Sequence, residues 1–243
     1  MEVCLSASTA YSDLQSRLSP LTVLLLALIL PSCSTKHVTV SGEFPAPLVE
    51  KLPANVGVIY PPEFINHEIY EVAQIEGDSN WRFSTGAAQV RFWSQFLSGF
   101  FENLIEIGDW DTMKLEADKL DGVLIPRITD LQYSVPQHTN TNIFEIQFFY
   151  EFSLVDPSKI YVSDTGALAF HPEDRILSWT LVSYGKTPSA FIQSAEEALN
   201  LAAIVSLRDG GANFAQNFVA TPQVTSWLEQ IQGTEQKNTL IIE

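Results

Sequence analysis

The chain has 243 residues, 46% hydrophobic and 17% charged, enough for one sizeable buried core, and this composition excludes a disordered protein. Acids outnumber bases 29 to 13, for a net charge of −16. That balance removes the phosphate neutralisation on which nucleic-acid binding depends, and the basic clusters drawn to anionic lipid, unless the fold gathers a local basic patch.

The first feature in chain order is an uncharged run from Leu21 to Leu30. A bilayer-spanning helix needs about 20 apolar residues, whereas a secretory signal core needs ~7–15. Residues 1–32 therefore read as a signal peptide. Leu30-Pro31-Ser32-Cys33 resembles the lipobox of bacterial lipoproteins. Leu30 and Ser32 suit that pattern, and Pro31 departs from it. The resemblance implies cleavage before Cys33 and covalent lipid on Cys33, an S-diacylglycerol and an N-acyl group. It also implies the outer membrane, because Ser34 stands where inner-membrane lipoproteins tend to carry aspartate. Cys4 and Cys33 are the only cysteines, so the mature domain keeps no other thiol, which suits an oxidising periplasm. The segment before the run is weakly charged, with Arg17 against Glu2 and Asp13, and a later start near Arg17 would need a non-Met codon. The alternative is an ordinary buried apolar segment with an incidental cysteine.

Residues 33–54 contain Ser, Thr, Gly42, Pro45, Pro47 and Pro53 and are expected to form a flexible tether. The domain is expected over residues 55–232. Val56-Gly57-Val58-Ile59-Tyr60 reads as a strand stopped by Pro61-Pro62. A second extended piece is expected from Phe64 to Ile75. Ser84 or Thr85 then caps a helix with an aromatic-rich stripe at Val90, Trp93, Phe96, Leu97, Phe100, Phe101 and Leu104. Leu104 to Ile107 is expected to leave it as a strand. A short helix over Met113–Leu120 precedes a strand from Gly122 to Tyr133, with a bulge or edge at Pro126.

Ile143 to Val155 alternates almost perfectly, with Phe144, Ile146, Phe148, Tyr150, Phe152 and Leu154 on one face. Lys159 to Phe170 reads as a hairpin around Asp164-Thr165-Gly166, and Arg175 to Tyr184 as the returning strand. Thr187-Pro188 is expected to open a second helix running to Phe218, weakened or kinked by Gly210-Gly211. Thr221-Pro222 starts a last short helix, and residues 233–243 read as a frayed tail. The order predicts an α+β two-layer sandwich: a mainly antiparallel sheet with two main helices on one face, in a β-α-β-β-β-α-like sequence.

Catalytic motifs are sparse. His37, His67, His138 and His171 stand at no metal-ligand spacing. Gly77-Asp78-Ser79 resembles the nucleophile block of one esterase family, which also needs a late Asp-x-x-His that this chain lacks. Asp164-Thr165-Gly166-Ala167 resembles the aspartic-protease signature, but Ser163 precedes it where an apolar strand is required, and a hairpin turn accounts for it. Asp109, Asp111, Glu116, Asp118 and Asp121 form an acidic cluster that fails the calcium-loop pattern, with Met113 and Lys114 at the fifth and sixth positions.

Several segments together resemble small Gram-negative envelope lipoproteins, including auxiliary lipoproteins of ABC-type lipid transport systems and, more loosely, the lipopolysaccharide-assembly lipoprotein. These segments are Val56 to Tyr60, Gly86-Ala87-Ala88, Trp179, Leu207-Arg208-Asp209 and Trp227-Leu228. The resemblance implies a non-enzymatic periplasmic module held to a membrane, without metal or cofactor, that assists an envelope transport or assembly complex through a protein partner. The alternative is a binder of lipid or a small apolar ligand, using a cavity between the aromatic helix and the sheet. A more remote alternative is an envelope hydrolase. No nucleic-acid partner is expected.

Overall fold

The best strand of the sequence becomes an interior strand of the main sheet. The structure, a computed structural model, describes residues 35–72, 80–134, 143–187 and 194–242. β1 (Thr35–Thr39) and β2 (Leu52–Val58) lead to a one-turn helix, α1 (Pro62–Ile65), and then to β3 (Glu68–Glu71) and β4 (Asn80–Ser84). The aromatic helix α2 (Gly86–Phe100) passes directly into β5 (Phe101–Glu106), followed by α3 (Trp110–Glu116) and the long strands β6 (Gly122–Ser134) and β7 (Glu145–Val155). A small hairpin, β8 (Tyr161–Val162) and β9 (Leu168–Ala169), precedes β10 (Arg175–Lys186), α4 (Ala195–Ala220) and α5 (Pro222–Ile242).

The main sheet has the order β10-β7-β6-β2-β5. β7 pairs antiparallel with β6 and β10, while β2 pairs parallel with β6 and β5. A second sheet has the order β1-β4-β3, with β1 parallel and β3 antiparallel to β4. The chain is thus an α+β protein, as its element order predicts.

The packing follows the alternation. Ile146, Phe148, Tyr150, Phe152 and Leu154 turn one face of β7 toward α2 and α4. Trp93, fully buried, is the hub. Its ring lies 4.9 Å from Phe152, 5.4 Å from Tyr150 and 5.0 Å from Phe92, each edge-on, and 5.7 Å from Phe214 of α4. Edge-to-face pairs of this kind are worth about 0.5–1.5 kcal/mol beyond burial.

A smaller core lies on the other face. Ile59, Ile107, Met113, Leu120, Val123, Ile125, Val155 and Ile160 form it, with Leu168 and Phe170 of the 159–170 hairpin packed against it. Burial on both faces explains the unbroken apolar run Val123-Leu124-Ile125.

Five expectations change. First, the segment read as a tether belongs to the domain. β1 pairs along β4, Val38, Val40 and Phe44 are buried, and Phe44 meets Phe92 edge-on at 5.1 Å. Asn200 of α4 clasps Ser41 by accepting from its N–H and donating to its carbonyl, and Arg208 donates to the Glu43 carbonyl. Composition marked a linker there, whereas Thr35–Thr39 pairs as a strand with Val38 turned into the core.

Second, the piece expected to extend from Phe64 splits into α1 and β3, because Pro62 at the first helical turn favours a short helix; residues 73–75 lie outside the described residues. Third, the bulge falls between Ile128 and Asp130, while Pro126 pairs in register with Phe152 and meets the other expectation, an edge. Pro126 is tolerated because β2 stops pairing at Leu124, leaving that side of β6 without a ladder partner.

Fourth, the second long helix is capped by Ser194, whose hydroxyl accepts from the Glu197 N–H in a Ser-x-x-Glu box. Thr187 instead closes β10, its N–H donating to the Phe144 carbonyl and its hydroxyl accepting from the Phe144 N–H; Pro188 lies outside the described residues. The helix runs unbroken through Gly210-Gly211. A Cβ on Gly211 would stand 2.8 Å from Phe92 and 3.0 Å from Phe96, so this glycine lets α4 approach α2. Fifth, α5 continues as helix to Ile242 where a frayed tail is expected.

Candidate functional site

Cys33, the one residue with expected covalent chemistry, lies outside the described residues, as does Ser79. What the structure places is the strand that follows. β1 starts at Thr35, two positions after Cys33, and its backbone joins the sheet at once through Thr35 against Asn80 and Lys36 against Trp81. Two residues of chain reach at most about 7 Å.

The middle of the space between the aromatic helix and the sheet is filled by rings. Phe92, Trp93, Phe96 and Phe100 of α2 interlock with Phe214 and Phe218 of α4 and Phe152 of β7 at ring separations of 4.9–5.9 Å. Among the described residues, open space lies at the border of that interface. A cleft of about 610 Å³ opens where β2 and β5 end, against the first turns of α2. Tyr60, Ile65, Val90, Trp110 and Ala167 line it together with the acidic Glu106 and Asp109.

Local sequence explains the cleft. Pro61-Pro62 ends β2 and turns the chain into α1, which packs on the start of α2 so tightly that a Cβ on Gly86 would lie 2.0 Å from the Ile65 carbonyl oxygen. Thr85 holds the N-cap position of α2, but its hydroxyl meets His67 Nδ1 at 2.7 Å instead of capping the helix. The His67 carbonyl takes over, accepting from the Thr85 and Gly86 N–H groups. Burial pushes the His67 imidazole below its ordinary range. The Tyr60 hydroxyl bonds Ser94 at 3.1 Å, and burial, reinforced by Glu106, holds it protonated well above the usual range for tyrosine.

Four of the five clustered acids are engaged in structure, and Asp118 is exposed. Asp109 caps α3 by accepting from the Thr112 N–H, which keeps its carboxyl below the ordinary range. Asp121 accepts from the Asn55 N–H at 2.7 Å, Glu116 pairs with Lys119, and Asp111 with Lys114. Asp164-Thr165-Gly166 is the tip of the β8–β9 hairpin: Gly166 adopts φ 81°, and the Ser163 N–H donates to the Ala167 carbonyl at 2.8 Å. His37 is exposed on β1, His171 stacks on Tyr161 at 4.7 Å, and His138 and the Gly77-Asp78-Ser79 block lie outside the described residues.

The quoted C-terminal residues have structural roles. Asp209 accepts from the Tyr184 N–H and Asn213 donates to the Val182 carbonyl, so α4 covers part of the outer edge of β10. The Trp227 indole donates to the Asp121 carbonyl at 3.1 Å and pins α5 to the start of β6. The Trp179 ring stacks on Phe152 at 5.2 Å. Sequence reasoning missed the Tyr60–Ser94 and His67–Thr85 contacts; their only signal was polar residues within apolar segments.

No family model matches the chain, and no curated protein does. Among solved structures, a Xanthomonas campestris protein of the DUF330 family model is 10% identical, with a TM-score of 0.40 over 76% of this chain and 99% of that one. A hypothetical protein from Chlamydia trachomatis is 10% identical, with a TM-score of 0.35 over 67% and 96%. The PelC dodecamer from Paraburkholderia phytofirmans is 13% identical, with a TM-score of 0.29 over 66% and 91%. Likenesses of this size carry no weight for function.

Proposed function

We propose that the chain is a periplasmic lipoprotein, held at the outer membrane by acyl and diacylglycerol groups on Cys33, that serves as a non-enzymatic accessory module of an envelope transport or assembly complex. The lipobox-like Leu30-Pro31-Ser32-Cys33 and Ser34 support the anchor and its destination. The observation that carries the module reading is the pairing of Thr35 with Asn80, two residues after Cys33. An anchor about two residues from a paired strand fixes which end of the domain meets the bilayer, as suits a module that presents one surface to a partner.

The second reading, a binder of lipid or a small apolar ligand, is favoured by the cleft beside Tyr60, Val90 and Trp110, a volume in the range of small-molecule sites. It places the ligand where the ends of β2 and β5 meet the first turns of α2.

Affinity purification of the lipidated protein in mild detergent separates the two. The module reading expects an envelope protein to co-purify in stoichiometric amount, insensitive to Val90→Trp. The ligand reading expects a bound small molecule in native mass spectrometry, lost on Val90→Trp, and no protein partner. Ester or peptide turnover abolished by Ser79→Ala or Asp164→Ala would contradict both and favour a hydrolase.

A further inference from the structure

Three strands meet where the anchor would emerge. Thr35 pairs with Asn80, Lys36 with Trp81, and Trp81 with Glu71, so the start of β1, the start of β4 and the end of β3 share one end of the small sheet. Residues at i and i+2 share a face. His37, Arg82 and Tyr70 therefore form one row on the outer face, with Val72 one step nearer the anchor. Tyr70 is 51% and Val72 54% exposed.

The charges around this end are arranged unusually for so acidic a chain. The Arg82 guanidinium lies 5.5 Å from the Tyr70 ring centre and pairs with Glu68 at 3.2 Å. On the inner face Lys36 Nζ sits 4.9 Å from the Trp81 ring centre, and Glu71 accepts from the Tyr133 hydroxyl. Both carboxylates of the three strands are thus tied into the fold. Among the described residues, the outer face toward the anchor shows Tyr70, Val72, His37 and the Glu68-paired Arg82.

We propose that this end of the small sheet rests on the bilayer surface, with Tyr70 and Val72 at headgroup depth and Arg82, His37 and Lys36 beside lipid phosphates. The inference rests on the reading of Cys33 as lipidated. The chain between the anchor and Thr35 spans at most about 7 Å, so this end, and no other, is held at the membrane. Tyrosine and long cationic side chains suit the interface because each joins an apolar body to a polar tip. β4 then runs away from the bilayer for roughly 13 Å before α2 begins. The cleft of Tyr60, Ile65 and Trp110 consequently lies on the periplasmic side, positioned for a partner or ligand arriving from the periplasm.

The test uses the lipidated full chain in vesicles of phosphatidylethanolamine and phosphatidylglycerol doped with nitroxide-labelled lipid. Tyr70→Cys, Val72→Cys and, as a distal control on exposed α3, Leu115→Cys each carry an environment-sensitive fluorophore, and each variant must match the parent in thermal midpoint. The expected result is quenching several-fold stronger at positions 70 and 72 than at 115. A short Gly/Ser insertion between Ser34 and Thr35 is expected to reduce it toward the level at 115. Equal quenching at all positions, or none at 70 and 72, with acylated Cys33 present by intact mass, overturns the docking surface and leaves the anchor standing. Unacylated Cys33 in the same measurement overturns the anchor and the docking surface with it.

Discussion

The Tyr150 hydroxyl donates to Gln89 Oε1 at 2.7 Å in a part of the core where neither residue is exposed. It links the middle of β7 to the first turn of α2, and Gln89 Nε2 has no hydrogen-bond partner. Tyr150→Phe would leave the Gln89 carbonyl orphaned as well, and is expected to cost about 1–3 kcal/mol. Gln89→Leu in the Tyr150→Phe background should recover most of that loss, because replacing both partners removes the buried polar groups together. Urea titration of the four proteins of the cycle measures this, and a purely additive cycle would contradict it.

The same tyrosine predicts alkaline sensitivity. Burial raises the Tyr150 pKa far above its ordinary value, and burial does the same at Tyr60. Above about pH 10 the unfolded chain releases these protons while the folded chain keeps them, so stability falls as pH rises from there. Tyr184 is pushed up to about 12 by its hydrogen bond to Glu145, but it is exposed and contributes little. On the acid side His67 is depressed by burial. Below about pH 6.5 the unfolded chain takes up a proton that the folded chain resists, so stability falls as pH drops. Tyr150→Phe should flatten the alkaline limb and His67→Gln the acid limb of a thermal-midpoint profile.

Two helical glycines should respond oppositely to alanine. Gly233 in α5 has nothing near its missing Cβ, so Gly233→Ala should stabilise by up to about 1 kcal/mol through helix propensity alone. Gly211 in α4 faces Phe92 and Phe96, and overpacking there is expected to cost about 1–3 kcal/mol, outweighing the same propensity gain. Chemical denaturation midpoints moving in the same direction would refute the close-approach account of Gly211.

The outer edge of β10 predicts an association phenotype. Asp209 and Asn213 occupy the Tyr184 N–H and Val182 carbonyl that another strand would otherwise reach. An uncovered edge is a template for strand pairing. Asp209→Ala combined with Asn213→Ala should increase self-association in sedimentation velocity, with a modest drop in thermal midpoint. An unchanged sedimentation profile would show that the edge needs no cover.

Much of this architecture was legible in residue patterns. The alternation of Ile146 to Leu154 specified an interior strand and its buried face, and the stripe through Trp93, Phe96, Leu97 and Phe100 specified the helix that covers it. Elsewhere composition misled. Pro and Ser around Val38, Val40 and Phe44 resemble a linker, yet those three apolar side chains find a place against α4 and α2 that no local pattern announces. Gly210-Gly211 reads as a helix breaker until the rings of Phe92 and Phe96 are placed beside it. The cleft was illegible for a similar reason, since Tyr60, Val90, Trp110 and Ala167 converge from four separate segments.

The most direct test of the central claim is the intact mass of the protein recovered from the membrane fraction, with Cys33→Ser alongside. The account predicts a chain that begins at Cys33 and carries diacylglycerol and acyl groups, and a Cys33→Ser variant that lacks them and leaves the outer-membrane fraction. A chain that retains residues 1–32 with an unmodified Cys33, or a Cys33→Ser variant that stays in the outer membrane with its mass otherwise unchanged, would contradict it.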